Sequence, residues 1–285
     1  MILAAGYGTR MLPVTKSQPK EMLPLVDKPI IHYAVEEIVN SGIRQVIVVT
    51  AVGKRAVEDY FDRSRDIEEL LEKKGDFERL EQVRQVSKMA DFAYVRQAEP
   101  RGLADAVNTA RHLVDNEPFI LLLPDDVIIG DPPVTRQLID CYQRLGTSVI
   151  AVEEVPASEV SSYGIVAGET VDERVTKLSH LVEKPSVASA PSRLAIVGRY
   201  LLTPAIWDAI DRIEPGYGGE LQITDALQIL AANEGLHAYR FSGERHDTGR
   251  PLSFLIASID LALRRPDTAP GLRAYLRELR LEGEA

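Results

Sequence analysis

The sequence lacks the residues that mark several classes of protein. Cys141 is the single cysteine among 285 residues, so no disulfide can form within the chain, as is typical of a reducing compartment. No apolar run reaches about 18 residues, and no signal-peptide pattern precedes the first polar loop. We therefore expect a cytoplasmic protein with no membrane span.

Positive charge is also in the minority. The chain has 33 Lys and Arg residues against 43 Asp and Glu residues, which gives a formal net charge of -10. Because nucleic-acid backbones attract basic surfaces, we expect no general nucleic-acid binding. The five scattered histidines and one cysteine also argue against a structural zinc site.

Apolar runs without alternation indicate strands that are covered on both faces. Two such runs span residues 46–49 and 119–123, and strands alternate with helices over the first 150 residues. Residues 150–242 contain more strands per residue than the first part. The pattern predicts a three-layer α/β/α sandwich around a central mixed, mainly parallel sheet, and the length and composition suit one large α/β domain or two small ones.

The first predicted strand, residues 1–4, ends at a glycine loop that contains Gly6 and Gly8. Three cations follow on this otherwise acidic chain: Arg10, Lys16 and Lys20. Glycines let main-chain N–H groups approach a ligand, so the segment predicts a site for a compact polyanion such as a nucleoside triphosphate. The alternative is a turn with a solvated basic face. The loop matches neither the P-loop nor the dinucleotide fingerprint, where Met11 would have to be glycine.

Paired acids follow the predicted strand of residues 119–124. Asp125 and Asp126 there suggest Mg²⁺, because ligands bind beyond the carboxyl ends of strands and this ion favours carboxylate and phosphate oxygens. Asp247, in the string His246-Asp247-Thr248-Gly249, is a candidate second ligand. Helix capping and an ordinary turn are the alternatives at the two positions.

Two further strings follow predicted strands. Glu183 suits sugar hydroxyls and Lys184 suits a phosphate, with a surface ion pair as the alternative. Gln97 offers a donor and an acceptor together, which matches the imide edge of a pyrimidine, and Gly102 would let the next helix begin close to a flat ligand. Since each string lies where a strand ends, we expect all of them to converge on one rim of the sheet.

On these strings the chain resembles the bacterial UTP–glucose-1-phosphate uridylyltransferases, a branch of the sugar-1-phosphate nucleotidyltransferase superfamily. The resemblance runs from Leu3 to about Leu279. The most specific strings span residues 4–10, 19–24, 95–97, 123–126, 182–185, 195–200 and 219–225.

The resemblance implies transfer of a uridylyl group from UTP to α-D-glucose 1-phosphate, giving UDP-glucose and pyrophosphate with the help of Mg²⁺. It also implies a homodimer or homotetramer. The resemblance further implies a single nucleotidyltransferase domain over residues 1–285. Residues 1–130 would be its nucleotide-binding half, residues 131–250 its sugar-phosphate-binding half and residues 251–285 its C-terminal helices. Transfer from dTTP or GTP and a non-catalytic nucleotide-sugar-binding regulator remain the alternatives.

The resemblance also assigns roles to positions. The catalytic residues would be Arg10, Lys20 and Lys184. The nucleotide would be bound by Leu3, Ala4, Ala5, Gly6, Gly8, Thr9, Gln97 and Gly102. The sugar phosphate would be bound by Gly164, Glu183, Lys184, Val197 and Glu220. The metal would be bound by Asp125 and Asp247.

Overall fold

The computed structural model describes residues 1–279, and residues 280–285 of the predicted C-terminal segment lie outside them. The helices are α1 (Ile30–Asn40), α2 (Arg55–Phe61), α3 (Arg65–Lys74), α4 (Phe77–Val86), α5 (Leu103–Thr109), α6 (Val134–Leu145), α7 (Ile206–Ile210), α8 (Ile223–Asn233), α9 (Pro251–Arg264) and α10 (Ala269–Glu278). The strands are β1 (Ile2–Leu3), β2 (Pro24–Leu25), β3 (Lys28–Pro29), β4 (Gln45–Thr50), β5 (Asp91–Arg96), β6 (Phe119–Leu122), β7 (Asp126–Ile129), β8 (Ser148–Glu154), β9 (Gly164–Thr170), β10 (Val175–Glu183), β11 (Leu194–Leu202), β12 (Leu236–Arg240) and β13 (Glu244–Asp247).

Nine strands form the central sheet in the order β5-β4-β1-β6-β11-β8-β12-β10-β9. The pairs β5–β4, β4–β1, β1–β6 and β8–β12 are parallel, and the other neighbouring pairs are antiparallel. The predicted mixed sheet is confirmed. Its first four strands are all parallel, whereas over the whole sheet five antiparallel pairs, including β11–β9, outnumber four parallel ones because β10 and β11 run in the opposite direction.

The second half of the sheet closes on itself. Strand β11 begins beyond the carboxyl end of β6, since Arg199 is the residue that pairs with Leu122. In the part of β11 that extends past β6, Ala195 pairs with Ile165 of β9. Strands β11, β8, β12, β10 and β9 therefore form a closed circuit of pairings. The circuit brings the start of β9 and the end of β10 to the carboxyl edge of β6.

Both faces of the sheet are buried. Along β11, Ile196 and Tyr200 pack into one apolar cluster, together with residues of α5, α7 and α8. Val197 and Leu201 pack into a second cluster, with residues of α1, α2 and α6. This arrangement confirms the predicted three layers, and it explains the unbroken apolar runs. None of the helices in residues 1–279 is long and apolar enough to cross a membrane.

Candidate active site

A cleft of about 520 Å³ lies at the carboxyl ends of β1, β5 and β6. It is lined by most of the predicted site residues: Leu3, Ala5, Gly6, Gly8, Thr9, Arg10, Lys20, Gln97, Gly102, Asp125, Gly164, Glu183, Lys184, Glu220 and Asp247. Residues from all the strings identified in the sequence thus surround one space.

Two predicted site residues do not line this cleft. Ala4 is buried, and its main-chain N–H donates to the carbonyl of Val49. The side chain of Val197 is buried in the second apolar cluster because alternate residues of β11 face opposite sides of the sheet. Its neighbours Ile196 and Gly198 line the cleft instead. Only the main chains of Ala4 and Val197 remain for the predicted contacts with ligand.

The glycine loop packs tightly against the segment that carries Lys20. Gly8 has φ 65°, and a Cβ added there would lie 3.1 Å from the Cβ of Lys20. The hydroxyl of Thr15 donates to the carbonyl of Gly8 at 2.9 Å. Glycine is needed because a side chain would be strained at this φ and would push the loop away from Lys20. The main chain at Gly6 stays exposed toward the cleft.

Lys20 and Asp125 form an ion pair, with 2.6 Å between Nζ and Oδ2. Burial lowers the pKa of Lys20, but the negative charges of Asp125 and Glu21 outweigh it, so this pKa lies above its usual value. Burial also opposes ionisation of Asp125, yet the charge of Lys20 holds the pKa of the carboxyl below its usual value. Both groups are therefore charged at neutral pH.

The second acid, Asp247, reaches the same place through a separate two-stranded antiparallel sheet. Strands β7 and β13 pair so that Asp247 lies opposite Asp126. Thr248 donates from its main-chain nitrogen and its hydroxyl to the carbonyl of Asp125, at 2.8 Å each. A Cβ added at Gly249 would lie 3.0 Å from a carboxylate oxygen of Asp247 and 3.7 Å from one of Asp125. The two carboxylates therefore lie close together beside this glycine, whose main-chain nitrogen donates to Oδ1 of Asp247 at 2.8 Å.

Asp126 also lines the cleft, but Arg245 compensates its negative charge. Its Oδ1 accepts from Nε of Arg245 at 2.6 Å, and its Oδ2 accepts from the main-chain nitrogen of Gly198 at 3.0 Å. The guanidinium of Arg245 also lies 5.1 Å from the centre of the Tyr163 ring. Sequence reasoning missed Arg245 as the partner of Asp126, although it lies one position before the string that contains Asp247.

The opposite wall of the cleft comes from the closed circuit of strands. Glu183 pairs with Gly164 across β10 and β9, and its Oε2 accepts from the hydroxyl of Thr224 at 2.6 Å. A Cβ at Gly164 would lie 3.1 Å from Ile196 and 3.2 Å from Glu183. This glycine therefore keeps a small space open in front of Glu183.

Lys184 has an unusual backbone conformation. Its φ is 44°, and the residue precedes Pro185, which restricts it further. Its Nζ lies 3.3 Å from Oε1 of Glu183 and 5.2 Å from the centre of the Tyr217 ring. Such strain in a non-glycine residue persists only where the surrounding structure imposes it, and it concentrates at functional sites.

Gln97 corrects a sequence-based expectation. Its Nε2 donates to Oδ2 of Asp105 at 2.7 Å and to the carbonyl of Gly102 at 3.3 Å. Both amide hydrogens thus have partners within the protein, so the side chain offers a ligand its oxygen and no donor. Gly102 has φ 118°, and a Cβ there would lie 2.5 Å from the carbonyl oxygen of Leu221. Only glycine fits at that position.

Sequence reasoning missed several polar residues that line the cleft. They are Ser162, Tyr163, Gln222, Thr224 and Arg245. Gln222 and Thr224 belong to the string of residues 219–225, so the signal that could have found them was present. Ser162 and Tyr163 had no such signal, because they lie in the segment just before β9 and belong to none of the strings.

A separate group of possible metal ligands lies on the other face of β13. Glu244, His246 and Asp260 are the one set of three within residues 1–279 whose ligand atoms lie within 4.8 Å of one another. The ring of His246 directs Nε2 toward Glu244 at 3.6 Å and Nδ1 toward Asp260 at 3.8 Å. The imidazole therefore lies between the two carboxylates, with a different ring nitrogen directed toward each.

A sequence model of the nucleotidyl transferase family matches residues 1–263. The chain belongs to this family. A nucleotidyl transferase named UTP–glucose-1-phosphate uridylyltransferase, from Staphylococcus epidermidis, is 44% identical over 279 residues, which cover 98% of this chain and 97% of the relative. A similarly named protein of Staphylococcus saprophyticus is 46% identical over 264 residues, 93% of this chain and 92% of that one.

Solved nucleotidyl transferase structures have the same fold. A UDP-glucose pyrophosphorylase complexed with UDP-glucose is 42% identical, with a TM-score of 0.86 over 93% of this chain and 98% of that one. A UTP-bound UDP-glucose pyrophosphorylase from Acinetobacter baumannii is 36% identical, with a TM-score of 0.90 over 98% of both chains. The resemblance found in the sequence strings and the predicted fold class are confirmed.

Proposed function

We propose that this nucleotidyl transferase is a UTP–glucose-1-phosphate uridylyltransferase. It transfers the uridylyl group of UTP to α-D-glucose 1-phosphate and releases UDP-glucose and pyrophosphate. One observation carries the proposal: a single cleft contains the Lys20–Asp125 pair beneath the glycine loop and, on its opposite wall, Glu183 beside Lys184. Relatives at 44–46% identity carry the name of this activity.

The reaction needs no protein nucleophile. An oxygen of the sugar phosphate forms a bond to the α-phosphorus of UTP, the bond from this phosphorus to the bridging oxygen breaks, and pyrophosphate leaves with the electron pair. A phosphate monoester has a second pKa near about 6, so the attacking group is mostly a dianion at pH 7 without a general base. The obstacle that the protein must overcome is repulsion between two anions.

The cations of the cleft address that repulsion. Lys20 and Arg10 hold the triphosphate and stabilise the charge that grows on the leaving pyrophosphate. Lys184 neutralises the sugar phosphate, while Glu183 and Gly164 receive the sugar ring. Catalysis is then a matter of positioning the two substrates and screening their charge.

The chemistry of the donors suits Mg²⁺. Asp125 and Asp247 bring hard carboxylate oxygens close together beside Gly249, and Mg²⁺ is commonly bound by one or two carboxylates plus substrate phosphates. Lys20 pairs with Oδ2 of Asp125, and the main-chain nitrogen of Gly249 donates to Oδ1 of Asp247, so the other oxygen of each carboxylate is left for the ion. When bound, Mg²⁺ supplies Lewis-acid polarisation of phosphoryl oxygens.

The proposal extends to the oligomeric state of the protein and to its cellular compartment. Helix α9 exposes Leu252, Leu255 and Ile256 to 70%, 56% and 48%, which supports a homodimer or homotetramer formed through the C-terminal helices. Sedimentation of the Leu255→Glu variant tests this: we expect a smaller species than for the native protein. The single cysteine supports a cytoplasmic location.

The activity is tested by measuring pyrophosphate release with UTP, dTTP, GTP, CTP and ATP against the 1-phosphates of glucose, galactose and mannose. We expect the highest kcat/KM with UTP and glucose 1-phosphate, and none without a divalent cation. A preference for another pair would replace the proposed substrates. Binding of UTP without pyrophosphate release would favour the non-catalytic alternative.

A further inference from the structure

Asp105 fixes the orientation of the Gln97 amide. The two residues are buried side by side, where β5 ends and α5 begins. A carboxylate only accepts hydrogen bonds, so the group that faces Oδ2 of Asp105 at 2.7 Å must be the NH₂ of Gln97. The carbonyl of Gly102 accepts from the same nitrogen and enforces the same orientation. Oε1 of Gln97 accepts no hydrogen bond from residues 1–279 and is the atom left for a ligand.

Asp105 is itself held in place. Its Oδ1 accepts from Nη2 of Arg101 at 2.8 Å, and the side chain of Arg101 is 67% exposed. One carboxylate oxygen therefore faces outward to a flexible cation, and the other faces inward to Gln97. The inward contact decides which end of the amide points into the cleft.

An acceptor that is fixed in this way distinguishes pyrimidine bases. Uracil and thymine carry N3–H, which donates to such an oxygen, whereas cytosine carries an unprotonated N3 that is itself an acceptor. Two acceptors facing each other leave a buried oxygen without a partner, and a site built around a hydrogen bond rejects a ligand that cannot form it. If Gln97 were free to rotate its amide, its NH₂ would donate to cytosine equally well.

We propose that Asp105 is a positioning residue that sets the preference for UTP over CTP. The inference rests on the proposed function for the placement of the base near Gln97. It goes beyond that function by naming a residue that contacts Gln97 and controls selectivity through it.

The test compares Asp105→Asn with the native enzyme in pyrophosphate release from UTP, CTP and dTTP. Asparagine presents either a donor or an acceptor, so it permits both orientations of the Gln97 amide. We expect the ratio of kcat/KM for UTP to that for CTP to fall by on the order of tenfold or more. The ratio for UTP to dTTP should stay the same, because both bases carry N3–H.

Two matched variants separate positioning from stability. Asp105→Glu keeps an acceptor toward Gln97, and we expect it to retain more of the selectivity than Asp105→Asn. Arg101→Gln removes the outward partner and leaves the inward contact, so the UTP-to-CTP ratio should remain native. If Asp105→Asn is too unstable for kinetics, the rise of its melting temperature with UTP and with CTP gives the same comparison, and Asp105→Glu and Arg101→Gln are the controls that should still distinguish the two nucleotides.

The outcomes are distinct. Equal losses of activity with UTP and CTP in Asp105→Asn would mean that the residue only supports the fold, and this would overturn the inference while leaving the proposed function intact. A native enzyme that releases no pyrophosphate from UTP would overturn the proposed function and this inference with it.

Discussion

Arg199 and Glu37 form an ion pair in the interior, with side chains that are only 1% and 5% exposed. Nη2 of Arg199 lies 2.9 Å from Oε2 of Glu37. The same guanidinium donates to the carbonyls of Leu123 at 2.9 Å and Asp126 at 2.6 Å. These two residues flank Asp125, so the pair connects α1 to the turn that carries the proposed metal ligand.

Breaking this pair should destabilise the protein strongly. In Arg199→Met the carboxylate of Glu37 stays buried without its cation, and we expect a loss of about 3–5 kcal/mol in the free energy of unfolding. Urea denaturation measures it. Adding Glu37→Gln to this variant should restore part of the loss because the unpaired charge is removed. A double variant no more stable than Arg199→Met would show that the charge is not the cause.

The Lys20–Asp125 pair should control the rate. We expect Lys20→Ala to lower kcat/KM by about 10² or more, as for the loss of one preorganised charge contact. Losing the cation also lets burial raise the pKa of Asp125, so activity should begin to fall at a higher pH on the acid side. Pyrophosphate release at saturating Mg²⁺, followed against pH, measures both effects. Lys16→Ala is the control, since Lys16 is exposed and lies outside the cleft. Near-native rates for Lys20→Ala would exclude the proposed role.

The effects of the strained backbone and of the charge at Lys184 can be measured separately with two substitutions. Lys184→Ala and Lys184→Gly both remove the cation, and we expect both to lose about 10² in kcat/KM. Glycine adopts φ 44° without a steric penalty, so Lys184→Gly should be more stable than Lys184→Ala by about 1 kcal/mol. Chemical denaturation of the two variants measures the difference. Equal stabilities would mean that this conformation is not strained.

His237 should contribute to loss of stability in acid. Burial lowers its pKa, and the positive charges of Lys177 and Arg144 act in the same direction. The unfolded chain therefore binds the proton more readily than the folded protein. Protonation of His237 then lowers the free energy of unfolding as the pH falls below about 6.5. In His237→Gln the free energy of unfolding should depend less on pH between pH 7.5 and pH 5.5. The control is His180→Gln on an exposed residue, which should keep the native slope. An unchanged slope in His237→Gln would contradict the prediction.

Much of the site could be predicted because its residues follow apolar strands. The loop after β1, Gln97 after β5 and Asp125 after β6 converge for the expected reason, since these strands are parallel and their carboxyl ends share an edge. Glu183 also lies at this rim, but the prediction that it does so at the end of a parallel strand was wrong. Strand β10 runs opposite to β6, and Glu183 reaches the cleft because the sheet closes through β9 and β11.

The remaining features depend on contacts between distant residues. Strand β13 contains Glu244, Arg245, His246 and Asp247, so no alternating apolar pattern marks it, and its pairing with β7 was not predicted. The orientation of the Gln97 amide depends on Asp105, eight positions away on a helix. Sequence patterns indicate which elements form, but they do not determine how a buried polar side chain finds its partner.

The closed circuit of strands has a mechanical consequence for turnover. Glu183 and Gly164 lie on a wall whose strands are hydrogen-bonded on both sides, so that wall cannot swing away from the sheet without breaking several ladders. The facing loop has no such restraint, and Gly6 and Arg10 on it are exposed. We therefore expect any opening of the cleft during turnover to occur on the side of the glycine loop, while the wall of Glu183 and Gly164 stays in place.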